Sequence, residues 1–547
     1  MELKRMNERL AFTCSPSGSR PAFERVAQIA LASAVLMVGT HGPASAGPQA
    51  LPAIPDTPRD AQFVGVPGAW RDYLIGVRAA RQIEAPLARC LAWPDLPDNQ
   101  WPEGHAAAHC RYHFSEGPSP TQAAALLEAG DVQTLERLMA EMAAGHGQRE
   151  DAERVHTFFH DLADMPAAAR DRLTSRWVDA APRSAYAAMA RGRHFAKQGW
   201  EARGTALAPQ TSEAQFAGMR AGFIEAIPFY RRAVELDPDL THAYIGMMEI
   251  AKAVSDAELE AWAFARAQLA GPACAEVAVS RMGALQPRWG GSLKEMERYA
   301  EMLSPRVTAF PLLANSLVEP YNELTLMEIA ANRYTQPAAD IADVATRIAS
   351  NEDALARAAQ LSMHRSDGSP VDDVKGLALL LQRERFEHLT PWQAREVASR
   401  LLRVEPEWTY ATITDAVARD PDSAYGHYLL GAASYNVGRF EQADRHYQLA
   451  RLDVRQEQTV LRELVTMWMF DAGLPADAAM AKAGPYLDTL LAKFPRDGRA
   501  HLWEWSRREY FGEPPPRQWF LGFLAVADPK DPVQVQAIET IKRKLAE

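Results

Sequence analysis

The sequence predicts an all-α fold: a solenoid of stacked antiparallel helix pairs behind a small irregular N-terminal cap. Two stretches more than two hundred residues apart obey one spacing rule. Leu430-Gly431 leads to Gly438, Ala443, Tyr447 and Ala450, while Gly192 and Phe195 lead to Gly199 and, after an insertion, to Ala226, Tyr230, Ala233 and Pro238. The paired glycines lie seven apart in both, and the Ala-x3-Tyr-x2-Ala run is shared. Small residues at such positions let two helices approach closely, with the aromatic ring filling the groove between them. Alanine is abundant and runs of β-branched residues are scarce, which favours helix over strand.

The 547-residue chain is 47% hydrophobic and 24% charged, the balance of a soluble protein with enough apolar surface for two cores or one long stack. Its first 46 residues read as a secretory signal. Lys4, Arg5, Arg9, Arg20 and Arg25 form a basic leader, Val26 to Val38 is apolar, and Ala44-Ser45-Ala46 is a small-x-small cleavage site. The apolar run falls short of the roughly 20 residues that span a bilayer. Cleavage near Ala46 removes five basic and three acidic residues, so 59 − 5 = 54 and 70 − 3 = 67 remain, a net charge of −13. That acidity argues against a general nucleic-acid binder. The expected location is periplasmic or secreted. In an oxidising compartment Cys90 and Cys110 are the natural disulfide pair. Cys274, in an alanine-rich helical context, reads as a small buried residue.

Along the chain, 47–68 carries five prolines without periodicity and reads as an extended linker. Residues 69–116, with both paired cysteines and several prolines and aromatics, read as the cap packed on the first helices. From Thr121 helical periodicity takes over. Ser119-Pro120 opens a helix that Gly130-Asp131 closes, and Leu135, Leu138, Met139 and Met142 share the next apolar face. Helical repeats extend over 117–370, with an insertion at 200–222. Gly199 to Ala226 takes 27 steps where Gly438 to Ala443 takes five, so about 22 extra residues are expected at that turn, by repeat arithmetic. The next hairpin places Gly246 at its close-contact position. Between 300 and 390 the small-residue code is absent. Arg365 to Pro370 is a loop, and a division into two lobes is expected there, the second covering 371–547. Within it Ala394, Ala398, Leu401 and Pro406, and again Ala483, Leu487, Leu490 and Pro495, fit the second helix of a hairpin. Lys542-Arg543-Lys544 ends a helix with cations at its negative pole.

The spacing at 424–450 resembles the tetratricopeptide repeat, although His427 stands where that pattern has tryptophan and Arg455 where it has a closing proline. Gly199-Trp200-Glu201-Ala202-Arg203-Gly204, with Thr211, Phe216, the 226–238 helix and Trp289-Gly290-Gly291-Ser292, resembles the bacterial family catalogued as domain of unknown function 4034, over roughly 175–300. That family brings a fold expectation and no chemistry. The tetratricopeptide resemblance implies a protein or peptide partner bound along a concave face lined by the first helix of each pair. By position, that face would present Tyr425, Tyr428, Tyr435 and Asn436 in one repeat and Tyr186, Met189, Arg193 and Lys197 in the other. Tyrosine suits such contacts because it joins a rigid apolar body to a polar tip. The plainer reading is that these tyrosines pack on the neighbouring repeat.

In the insertion, Trp200 would act as an anchor, and Arg203 with Arg193 and Lys197 as a cationic spot for a carboxylate or phosphate. The competing reading has Arg203 pinning its own loop through backbone carbonyls. His105, His109 and His113 share one face if 103–114 is helical, and three imidazoles so spaced suit zinc. No acidic residue completes a recognised zinc motif, so no metal is assigned, and the same holds for His156 and His160. Ser292 reads as a helix N-cap and Asp372-Asp373 as a solvated loop. With no nucleophile elbow, phosphate loop or dinucleotide fingerprint, the expectation is a non-catalytic scaffold without cofactor or membrane span. The alternative is an enzyme or small-ligand protein with its site at 200–222.

Overall fold

Sequence-encoded caps set where the helices begin. Ser119 accepts from the Gln122 amide while the Gln122 side chain accepts from the Ser119 amide, a reciprocal box repeated at Ser212/Gln215 and Thr390/Gln393. Ser292 caps Leu293–Leu303 as expected, and Asp372, read as solvated loop, caps Asp373–Glu384. The computed structural model describes residues 63, 65–114, 117–144, 154–206, 208–513 and 515–546. The expected signal segment 1–46, and all but the end of the 47–68 linker, lie outside these. Among the described residues the fold is all-α, in consecutive stacked pairs, with no β-strand. No described helix is long and apolar enough to cross a membrane.

The chain forms two units. One contains Ile83–His388 and the other Leu389–Glu547, so the division follows His388 and not residue 370. The described residues from Phe63 to Gln82 belong to the second unit. The expected single cap at 69–116 is therefore divided. Its first helix, Gly68–Ala80, is held by an ion pair from Arg78 Nε to Glu405 at 3.0 Å with both side chains almost fully buried. Phe63 and Arg81 flank the buried Trp408 ring from the same segment. Burial of that aromatic and that ion pair outweighs proximity in sequence.

In the first unit the helix pair at the predicted repeat is Ala185–Arg203 with Glu213–Leu236. A Cβ on Gly192 would lie 2.7 Å from the Tyr230 ring, so only glycine fits. The same ring approaches Gly246 of the following helix, Thr241–Val254, where a Cβ would sit at 2.5 Å. In the second unit Ala424–Asn436 nests on Phe440–Ala450, and a Cβ on Gly431 would meet Tyr447 at 2.6 Å. Ala226, Ala233, Ala443 and Ala450 are completely buried beside these rings.

Three local readings are corrected. The extra residues at 200–222 do not form a long loop; they lengthen both helices of the pair, leaving only 204–212 between them. Strong helix formers and the Ser212 capping box make helix cheaper there than loop. Gly199 and Gly438 consequently differ: Gly438 takes the turn with φ +77°, while Gly199 stays helical against Phe223 and the Met219 carbonyl. Ala394, Ala398 and Leu401 are buried on the first helix of a pair, Pro391–Leu401 with Pro406–Arg419, because Pro406 begins the partner helix. The second-helix assignment of Ala483, Leu487 and Leu490 agrees with their buried positions on Ala476–Lys493. Across 300–390 the close-packing code is present but written in alanine. Ala338, Ala342 and Ala345 on one helix and Ala354 and Ala358 on the next are all buried.

His427, at the usual tryptophan position, places Nδ1 3.1 Å from Nδ1 of His446 and Nε2 2.9 Å from the Pro421 carbonyl. Burial, with His427 and Arg445 nearby, pushes His446 down to about 4.

Gly192→Ala and Gly431→Ala are expected to lower stability by about 1–3 kcal/mol through overpacking. Gly522→Ala, where an added methyl meets nothing within 4 Å, should be neutral or stabilising by up to about 1 kcal/mol. Urea denaturation of the three variants checks the contrast. The lowered His446 pKa contributes stability that is present above about 6.5 and lost as pH falls towards 4. A pH series of melting temperatures should show that loss, with a shallower slope in His446→Gln.

Candidate functional site

In the first unit the first helices of successive pairs neighbour one another. This row comprises Arg154–Asp164, Ala185–Arg203, Thr241–Val254 and Ala275–Ala284. The predicted residues do lie together there, but the row is already cross-bonded. Arg193 donates to Glu249 at 2.8 Å and Lys197 to Asp164 at 3.0 Å. Burial alone would raise the Glu249 carboxyl; Arg193 and Lys252 instead hold it below its usual range. His156 Nε2 lies 3.1 Å from Glu276, whose other oxygen accepts from the Tyr112 hydroxyl. Burial pushes the Glu276 carboxyl up. Tyr186 is half-buried and its phenol is raised to about 12 by burial, and Met189 is in the core. Trp200 packs edge-to-face on Phe223. Arg203 donates to the carbonyls of Gly204 and Ala206, both at 3.1 Å, and lies over the Phe216 ring. Its guanidinium pins its own loop, the plainer of the two sequence readings, because a turn of carbonyls needs donors.

Against this face lies the short helix His105–Phe114. A disulfide joins Cys110 to Cys90 on Pro86–Ala92, as the sequence predicts. Its histidines do not point together as a triad. The Ser350 amide donates to His105 Nε2 at 3.0 Å, so the proton is on Nδ1, which donates to the Pro311 carbonyl at 2.9 Å. Burial, then His109, depresses the His105 pKa to about 3. His109 and His113, one helical turn apart, instead converge on Glu352, the first residue of Glu352–Met363. His109 Nε2 is 3.0 Å and His113 Nε2 2.6 Å from the same carboxylate oxygen, and the two nitrogens are 3.3 Å apart. Ser350 Oγ lies 2.8 Å from His109 Nδ1, and the Phe386 ring stacks on His109 at 4.1 Å. Burial drives the His109 imidazole towards its neutral form. The acidic residue missing from the local sequence is thus supplied from about 240 positions away; nothing in the chain's local pattern marks Glu352.

In the second unit Tyr425 and Tyr428 stack with ring centroids 6.2 Å apart, and Tyr425 is 42% exposed. Burial raises both phenols, with Glu396 acting on Tyr425 and Glu463 on Tyr428. Tyr435 donates to Asp471 and contacts Phe440, and Asn436 donates to the Leu402 carbonyl at 3.0 Å. Tyr425 is thus an exposed ring stacked on a partly buried Tyr428, which packs in turn on the core ring Tyr447 at 6.2 Å, while Tyr435 and Asn436 tie neighbouring helices.

No family model matches the sequence, and no curated protein matches it. The chain is similar to one in a solved structure described as "Crystal structure of APC/C hetero-tetramer Cut9-Hcn1", with 10% identity over 87% of this chain and 96% of that one, and a TM-score of 0.28. That score is too low to transfer any geometry, and the helical-repeat fold rests on the nested pairs above.

Replacing Cys90 and Cys110 by serine should cost about 3 kcal/mol of stability in the chain-entropy model, since the bridge closes a 20-residue separation. Thermal unfolding of the oxidised wild type against Cys90→Ser/Cys110→Ser measures it.

Proposed function

We propose that this protein is an exported bacterial scaffold, without catalytic activity, that holds a protein or peptide partner on the first-helix face of its second unit. The observation carrying this reading is the stacked Tyr425–Tyr428 pair. It offers a rigid aromatic surface at low entropic cost, with carboxylates and arginines of neighbouring helices around it. The corresponding row of the first unit is less suited, since Arg193, Lys197 and Arg203 are engaged within the chain. The partner would be an extended segment or a helix, fixed by a few aromatic anchors and a polar rim. Export to the periplasm or beyond is supported by the basic–apolar–small leader and by the Cys90–Cys110 bridge, which persists in an oxidising compartment. The resemblance over 175–300 to the domain of unknown function 4034 family fits this reading, because it brings a helical architecture and no reaction.

Tyr425→Ala with Tyr428→Ala is expected to weaken partner capture at least about tenfold, the loss of one or two interface anchors. Helical content should be unchanged. Quantitative pull-down from a native envelope extract, with circular dichroism of the same variant, tests this. Undiminished capture by the double variant removes the reading.

A further inference from the structure

We propose that His109, His113 and Glu352 form a binding site for one divalent cation of zinc-like preference, which fastens the His105–Phe114 helix to the Glu352–Met363 helix. Three ligand atoms of the right chemistry meet at one point: two imidazole Nε2 atoms and one carboxylate oxygen, with separations of 3.0, 2.6 and 3.3 Å. Zinc bonds of about 2.0–2.1 Å at tetrahedral angles put neighbouring ligand atoms about 3.3 Å apart. The nitrogen pair already has that separation, and the carboxylate oxygen needs to withdraw by about 0.3 Å from His109 and about 0.7 Å from His113 to reach it. Imidazoles one helical turn apart present their nitrogens on the same side of the helix, as a two-histidine chelate requires.

The polar inventory accommodates such an ion. His109 Nε2 has three neighbours: the Glu352 oxygen, His113 Nε2, and Asn315 Nδ2 at 3.3 Å. Without a cation, His113 donates to Glu352 and the Asn315 amide donates to His109 Nε2. Asn315 Oδ1 is meanwhile buried without a hydrogen-bond partner among the described residues. Both Nε2 atoms can present lone pairs to a cation when each imidazole carries its proton on Nδ1, which for His109 faces Ser350 Oγ. A water in the fourth position would lie where His113 and Glu352 are partly open to solvent. Behind the ligands, Ser350 Oγ sits on His109 Nδ1, the outer contact that orients metal-bound histidines. Phe386 covers the imidazole from one side. Arg385 is the nearby opposing charge, and Asp95 accepts from it at 2.6 Å. The residue after His109 is the disulfide-bonded Cys110, so the general base that follows the first histidine in H-E-x-x-H sites has no counterpart, and the assigned role is structural.

The test uses the full mature chain, disulfide intact, stripped with chelator and dialysed against buffered Zn²⁺. Elemental analysis should find one zinc per chain, and zinc should raise the melting temperature. His113→Ala and Glu352→Ala should each lose the bound zinc and the thermal shift, and His160→Ala should keep both. Ser350→Ala should weaken binding about tenfold. Co²⁺ bound by the wild type should give the visible bands of a four-coordinate ion, absent in His113→Ala. Should either alanine variant fail to fold, Glu352→Gln keeps the side-chain shape and serves in its place. A wild type that takes up no stoichiometric zinc overturns the proposal, as does zinc retained unchanged by both ligand variants.

Discussion

The stack depends on one contact: a tyrosine ring lying where two backbones leave no room for a side chain. Tyr230 fills the space left at Gly192 of its own pair and at Gly246 of the next helix, so one ring fixes both the width of a hairpin and its distance from the following one. Tyr447 occupies the equivalent place at Gly431. A fully buried ring of this size contributes roughly 2–3 kcal/mol in transfer free energy. Its larger effect is on geometry. Helix axes held close by glycine and alanine cannot slide without driving a ring into backbone, so the register of each pair is set by shape. Everything displayed on the first-helix faces inherits that register, including the stacked Tyr425–Tyr428 pair.

The same closeness explains why the first-unit face is bonded to itself. Side chains on adjacent first helices reach one another directly, and cations there meet carboxylates across the row. Arg193 with Glu249 and Lys197 with Asp164 are pairings between neighbouring helices, not between residues near in sequence. Partial burial makes an unpaired charge costly, so a row packed this tightly must be matched along its length. The mixed charge of the chain is thus spent largely within the stack. In the second unit Tyr425 keeps an exposed ring stacked on Tyr428.

What was legible in the sequence was local. The glycine and alanine positions, the Ser119 and Ser292 caps, the disulfide and the turn at Gly438 each follow from a few neighbouring residues and a known periodicity. The features that escaped it are decided by contacts hundreds of positions long. Gly68–Ala80 joins the second unit because Arg78 finds Glu405, and no pattern near residue 78 announces that. Glu352 joins two histidines because the first unit brings the start of its helix beneath them. The 200–222 segment misled for another reason: repeat arithmetic counts extra residues but not their conformation, and helix-forming residues took up most of them as added turns.

The His105–Phe114 helix shows why such long-range ties gather where they do. Ten residues are too few for a helix to persist on its own, and its inward face is His105, Ala108, His109 and Cys110. Apart from one alanine and the disulfide, that face brings little apolar surface, so hydrophobic burial alone holds it weakly. Each buried imidazole also needs its polar atoms satisfied, which costs order elsewhere: the Ser350 amide and the Pro311 carbonyl are committed to His105. A short polar helix in such a place is kept by bonds that are strong per residue. The covalent bridge at Cys110 fixes it to Pro86–Ala92, and Glu352 draws His109 and His113 towards the helix that it begins. The helix is therefore the element of the first unit whose position follows least from packing and most from chemistry, which is where a cation would have most to contribute.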